Sequence, residues 1–156
     1  MENRELIRLA LEAREMAYVP YSKYMVGAAL LTKQGRVYKG CNIENAAYTP
    51  TNCAERTAFF KAVSEGERAF EAIAIVGGYR GAPTSYAYPC GVCRQVMMEF
   101  CDPAEFRIIT AVSEEQYVER TLAELLPEGF GPDNLWSGDR VGEWLFPCSC
   151  ATRAPP

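Results

Sequence analysis

Two short segments of this sequence carry the residues most able to do chemistry. Cys53-Ala54-Glu55 places a carboxylate two residues beyond a thiol, and Pro89-Cys90-Gly91-Val92-Cys93 places two thiols three residues apart. On the first turn of a helix, positions three apart can aim both sulfurs at one ion, and the free N–H groups and positive dipole end there favour thiolates. Cys53, at the start of a neighbouring helix, would supply a third sulfur. Three ligands are one short of a closed tetrahedral zinc site, and an open fourth position is the mark of catalytic rather than structural zinc. Glu55 would lie close enough to reach a water in that position without being a ligand. The tripeptide alone is a weak signal and a lone C-x-x-C a moderate one. Together they point to a metal that activates water beside a carboxylate able to move its protons.

The composition narrows the chemistry from the other side. The chain of 156 residues has 7 Cys and 0 His, with Lys+Arg 16 against Asp+Glu 20 for a net charge of -4. Without histidine, serine and cysteine triads, His-ligated zincins and two-His iron sites all fall away. The odd cysteine count leaves at least one thiol outside any intramolecular disulfide framework. The N-terminus, Met1-Glu2-Asn3-Arg4-Glu5, is charged and lacks the apolar run of a signal peptide, and no stretch approaches the ~20 apolar residues that cross a bilayer. The expectation is a soluble cytoplasmic protein with no membrane partner, where clustered cysteines more often bind metal or do chemistry than form disulfides. The acidic balance and interleaved charges argue against a nucleic-acid partner. Cys41, Cys101, Cys148 and Cys150 read as small hydrophobes or incidental thiols.

The elements that must position the two segments follow from periodicity. Leu6, Leu9, Ala10, Ala13, Met16 and Ala17 recur at helical spacing, predicting a helix over residues 4–17. Runs at 25–32 and 37–42 flank Lys33-Gln34-Gly35-Arg36 as a hairpin. Residues 54–65 and 91–101 read as helices, 72–77 and 107–112 as buried strands, and 117–120 as a strand leading into a capping box at Thr121-Leu122-Ala123-Glu124. Helix, two strands, then strands alternating with helices imply a three-layer α/β domain with a partly parallel sheet. Residues 1–130 form that domain, and the Gly- and Pro-broken stretch 131–156 reads as an irregular tail in which Trp136, Trp144, Leu145 and Phe146 could support an oligomer.

With its elements placed, the sequence resembles the small homotetrameric zinc-dependent cytidine deaminases, over residues 6–130. The paired segments match the all-cysteine variant of the zinc deaminase signature. Further matches are Tyr21-Ser22-Lys23-Tyr24-Met25-Val26-Gly27-Ala28-Ala29-Leu30, Gly40-Cys41-Asn42-Ile43-Glu44-Asn45-Ala46-Ala47-Tyr48, Cys90-Gly91-Val92-Cys93-Arg94-Gln95 and Glu124-Leu125-Leu126-Pro127. The resemblance implies a three-layer α/β/α fold with a mixed five-stranded sheet, one Zn²⁺ per subunit on Cys53, Cys90 and Cys93, and a homotetramer with active sites at subunit contacts. It implies hydrolysis of cytidine and 2'-deoxycytidine to uridine and 2'-deoxyuridine with release of ammonia, in pyrimidine salvage, with Glu55 carrying the protons. Asn42 and Glu44 would hydrogen-bond the ribose hydroxyls, and Ala54 would contact the substrate. Tyr24, where the family usually has Phe, would form a pocket wall, and Tyr48 and Phe130 would reach a neighbouring subunit's site. Arg56 would hydrogen-bond the thiolates, offsetting the net charge of about −1 that three thiolates leave on Zn²⁺.

Alternatives stand beside this reading. A relative in the same fold could act on another aminated heterocycle, as a blasticidin-type deaminase or one tolerant of 4-position substituents; Tyr24, Met25 and the stretch 79–88 depart from the usual pattern at the pocket rim. A structural zinc module would need a fourth ligand from Cys41, Cys101, Cys148 or Cys150.

Overall fold

The computed structural model describes residues 1–135. Within them, strands β1 (Tyr24–Thr32), β2 (Val37–Cys41), β3 (Phe70–Tyr79), β4 (Arg107–Ala111) and β5 (Tyr117–Thr121) form one sheet in the order β2-β1-β3-β4-β5. The β3–β4 pair is parallel and the other neighbours are antiparallel, so the sheet is mixed. Helices α1 (Asn3–Arg14), α2 (Ala54–Ser64), α3 (Gly91–Phe100) and the short α4 (Leu122–Leu125) complete the fold.

Strand residues divide by parity onto two cores. Ala28, Leu30, Ile73, Ile75 and Ile108 face α2 and α3, meeting Ala54, Ala58, Phe59, Ala62, Cys93 and Met97. Their neighbours Ala29, Leu31, Ala72, Ala74, Val76, Ile109 and Ala111 face the other way, onto Leu6, Ile7 and Ala10 of α1. Both faces are covered, which is why these strands read as continuous apolar runs rather than alternating ones. The result is the expected α/β/α layering.

Boundaries moved where hydrogen bonding, not periodicity, decides them. Regular α1 ends at Arg14, but Met16 and Ala17 still donate to the Ala13 and Arg14 carbonyls, so a tighter turn carries the helical spacing onward. β3 outruns its apolar centre because Phe70 and Tyr79 pair with Thr32 and Tyr24. The capping box at Thr121 is present with both of its hydrogen bonds, to and from Glu124. Pro132–Asn134 form a 3₁₀ turn. Trp136, Trp144, Leu145, Phe146, Cys148 and Cys150 lie outside the described residues. Among those residues no helix is long and apolar enough to cross a membrane.

Two crossovers place the site. The chain runs β2–α2–β3 and β3–α3–β4, bringing the starts of α2 and α3 together beyond the carboxyl ends of β2 and β3, where open α/β sheets form ligand crevices. Close docking of α2 depends on Gly40 in β2. A Cβ there would lie 2.4 Å from the Ala54 carbonyl oxygen and 2.5 Å from the Ala58 nitrogen, both backbone atoms that cannot step aside. Gly40→Ala is therefore expected to destabilise the protein by about 3 kcal/mol, visible as a Tm lower by roughly 10 °C in thermal unfolding; an unchanged Tm would show that α2 does not rest on β2 in this way.

Candidate active site

Cys53 and Cys90 each occupy the residue immediately before the first helical residue, of α2 and α3 respectively. That position normally carries Ser, Thr, Asp or Asn, whose oxygen caps a free N–H. Neither cysteine makes such a cap, and both sulfurs turn toward one another instead. Cys53 Sγ lies 3.9 Å from Cys90 Sγ, which lies 3.5 Å from Cys93 Sγ, and all three fall within 4.8 Å of one another. Zinc–sulfur bonds of ~2.3 Å in tetrahedral geometry hold sulfurs about 3.8 Å apart, so the triad is dimensioned for zinc. Cys93 is 1% exposed and closes the back of the group, while Cys53 and Cys90 face an open cleft.

Local hydrogen bonds fix the two turns. Thr57 Oγ1 accepts from Asn52 Nδ2 at 3.0 Å and donates to the Cys53 carbonyl at 3.1 Å. Arg94 donates through Nε to the Pro89 carbonyl at 2.8 Å and through Nη1 to the Leu125 carbonyl at 2.6 Å, tying the Cys90 turn to α4. Elsewhere, Cys41 Sγ contacts the Met16 carbonyl and Cys101 is buried in the core, so neither joins the triad. Among the described residues, the structural-zinc alternative has no fourth cysteine.

The charges around the sulfurs are matched. Cys93 hydrogen-bonds to Cys53, and with the Arg56 guanidinium this brings the Cys53 thiol down to about 5 against the opposing effect of burial. That same hydrogen bond, and then burial, push the Cys93 thiol up. Arg56 Nη2 sits 3.5 Å from Cys53 Sγ and 3.4 Å from the Thr51 carbonyl oxygen. Glu55 is 4% exposed, and burial first, then the nearby Cys53 charge, raises its carboxyl to about 7. A carboxylate poised there exchanges protons readily near neutral pH.

The cleft has a volume of about 430 Å³. Cys53, Glu55 and Cys90 lie on its wall, as do Tyr24, Asn42, Glu44 and Ala54. Asn42 is held rigidly: Oδ1 accepts from the Val26 N–H and Nδ2 donates to the Tyr24 carbonyl, each at 2.8 Å. Glu44 Oε2 accepts from the N–H groups of Tyr21 at 2.9 Å and Ser22 at 3.2 Å, and hydrogen bonding by Ser22 is the chief cause that holds its carboxyl below the usual range. Tyr48 and Phe130 do not line this cleft. Tyr48 is 75% exposed, beside Tyr21 and Glu44 in an adjoining recess, and Phe130 is 58% exposed with its carbonyl accepting from Gln95 Nε2 at 2.9 Å.

Thr51, Asn52, Ile75, Tyr86, Ala87 and Tyr88 also line the cleft and were not among the expected site residues. Of these, only the last three belong to a stretch that the sequence marked, as an unusual rim. Met25, marked with them, turns away from the cleft into a small core with Ala17 and Val19. A larger cleft of about 560 Å³ lies between Arg68, Phe100, Cys101 and Pro132, and among the described residues it holds no comparable ligand set.

Known proteins resemble this chain in sequence and in fold. The family described as the cytidine and deoxycytidylate deaminase zinc-binding region matches residues 1–110. A cytidine deaminase of Sporosarcina psychrophila is 53% identical over 135 residues, covering 86% of this chain and 96% of its own. One from Halalkalibacterium halodurans is 51% identical over 136 residues, covering 86% and 98%. The crystal structure of cytidine deaminase from Burkholderia pseudomallei superposes with a TM-score of 0.75 at 45% identity, over 83% of this chain and 100% of that one.

The geometry sets a clear expectation for metal content. Replacing Cys53, Cys90 or Cys93 by Ala should reduce bound zinc from one ion per chain to near none in elemental analysis, whereas Cys41→Ala and Cys101→Ala should retain it; full zinc in a triad variant would contradict the assignment.

Proposed function

The chain belongs to the cytidine and deoxycytidylate deaminase zinc-binding family, and from that premise we propose that it hydrolyses the 4-amino group of cytidine and 2'-deoxycytidine, releasing ammonia and the uracil nucleoside. The observation that carries the reading is the buried Glu55 beside the sulfur triad at one part of a cleft that also presents Asn42 and Glu44. The triad and the carboxylate suit hydrolysis, and the two polar side chains suit sugar hydroxyls.

Zinc held by Cys53, Cys90 and Cys93 would act as a Lewis acid that brings the pKa of water from ~15.7 toward ~7. Glu55 takes a proton from the attacking water and delivers it to N3 of the pyrimidine, then takes the second proton from the hydroxyl now on C4 and gives it to the departing amino group. C4 thereby gains an oxygen and loses ammonia, and one carboxylate serves as base and then acid because the transfers are sequential. Arg56 draws negative charge from Cys53 Sγ, which keeps an all-thiolate set from quenching the Lewis acid. Asn42 and Glu44, each anchored to backbone, orient the sugar; Tyr24 supplies an aromatic wall, with Ala54 in the cleft lining beside the triad.

The family spans nucleosides and nucleotides, and charge favours the nucleoside. Among the described residues the cleft and its adjoining recess present Glu44 and Glu55 and are lined by no lysine or arginine, so a 5'-phosphate would meet negative charge there. The same reading makes the protein a homotetramer of the cytoplasm serving pyrimidine salvage, in which Tyr48 and Phe130 complete a neighbour's site. Their exposure away from the cleft of their own chain supports this, as does the anchoring of Phe130 to the site-bearing helix α3 through Gln95.

Two experiments follow. Glu55→Gln should fold and retain zinc while ammonia release from cytidine falls about 10²- to 10⁴-fold; near-normal turnover would sink the proton-transfer role. Co-expression of Glu55→Gln with Phe130→Ala should give mixed oligomers more active than the sum of the two variants made separately, because an intact Glu55 then meets a neighbour's intact Phe130. Activity equal to that sum would show that Phe130 serves no neighbour.

A further inference from the structure

β1 and β3 pair with Val26 opposite Gly77 and Tyr24 opposite Tyr79. At Gly77 a Cβ would come within 2.5 Å of Ala87 Cβ and 3.0 Å of Tyr24 Oη. The bare backbone at Gly77 is therefore what lets the 80–88 segment fold back over β3 beside the Tyr24 ring. Backbone bonds seat it there: Ser85 N–H donates to the Gly77 carbonyl at 2.7 Å, and Arg80 N–H donates to the Lys23 carbonyl at 2.9 Å. The hydroxyls of Tyr24 and Ser85 then meet at 3.3 Å. Tyr79 touches the same ring edge-on, with centroids 5.1 Å apart at 85°. Immediately after Ser85 come Tyr86 and Tyr88, stacked at 6.1 Å and 21°, which with Ala87 line the cleft just ahead of Cys90.

We infer that the Tyr24 and Ser85 hydroxyls form a latch that fixes both the Tyr24 ring and the 86–88 wall before substrate enters, and that this latch sets affinity rather than chemistry. The inference rests on the cleft being the nucleoside site. Ordering a ring and a loop on binding costs affinity, and a contact already made in the folded protein removes that cost. The gain is shared by ground state and transition state, because the two hydroxyls bond each other rather than Glu55 or the sulfurs; it therefore appears in KM and not in kcat. Phe, the usual residue of the resembling family at position 24, would keep the wall and lack the latch. Tyr24 and Ser85 are on this view positioning residues.

Steady-state kinetics on cytidine with Tyr24→Phe, Ser85→Ala, the double variant and Ser85→Thr test the latch. Each single variant should raise KM roughly two- to fivefold, the scale of one net hydrogen bond, with kcat little changed. The double variant should be no worse than either single, and Ser85→Thr, which keeps a hydroxyl, should restore the parent KM. Unchanged KM in both singles, effects that multiply in the double, or a loss confined to kcat would overturn the latch while leaving the deaminase reading intact. A parent protein that holds zinc yet releases no ammonia from cytidine would overturn that reading, and the latch with it.

Discussion

Everything at this site depends on bringing three sulfurs from two separate helix starts to one point. The requirement reaches far into the fold. It needs two crossovers that end side by side, a glycine at position 40 so that α2 can settle on β2, and strands apolar on both faces so that the sheet can be covered by α1 on one side and by α2 and α3 on the other. It also costs the helices their capping side chains, since Cys53 and Cys90 stand where a Ser or Asp would have stabilised the first turn by ~1 kcal/mol. The sulfurs are thus placed against the preference of local structure, as expected where function rather than stability selects the residue.

The absence of histidine makes the electrostatics of the centre demanding. Three thiolates give more negative charge than a mixed set with imidazole, and Arg56 at Cys53 Sγ answers that charge directly. Glu55, two residues away on the same turn, is pushed toward neutrality chiefly by burial and then by the Cys53 charge. Two features useful to hydrolysis thus stand together: a Lewis-acid site whose charge Arg56 relieves, and a carboxylate that burial, aided by Cys53, leaves easily protonated.

The motifs and the layers were legible in the sequence because each rests on a local rule. Cysteine spacing on a first helical turn, continuous apolar runs in the strands and the Thr121–Glu124 box all depend on residues close in sequence, and the structure has each of them. What periodicity missed depends on contacts distant in sequence. Tyr86 and Tyr88 reach the cleft only because Ser85 bridges to Gly77, and Met25 leaves the rim because Ala17 and Val19 make a small core beneath it. Helix α1 read longer than its regular part because the tight turn after Arg14 keeps nearly the same spacing. Asn42 and Glu44 look like ordinary turn residues in the sequence; the family resemblance raised them, and the geometry adds that each is held by two backbone groups and so presented rigidly to the cleft.

The central claim is that the sulfur triad and the cleft beside it act as one hydrolytic centre. Zinc-free protein prepared with a chelator and titrated with zinc, with ammonia release from cytidine followed at each addition, tests it most directly. Activity should rise in proportion to metal and saturate at one zinc per chain, matching the one ligand cluster found among the described residues. Deamination that persists without zinc, or full zinc occupancy with no ammonia released, would contradict it.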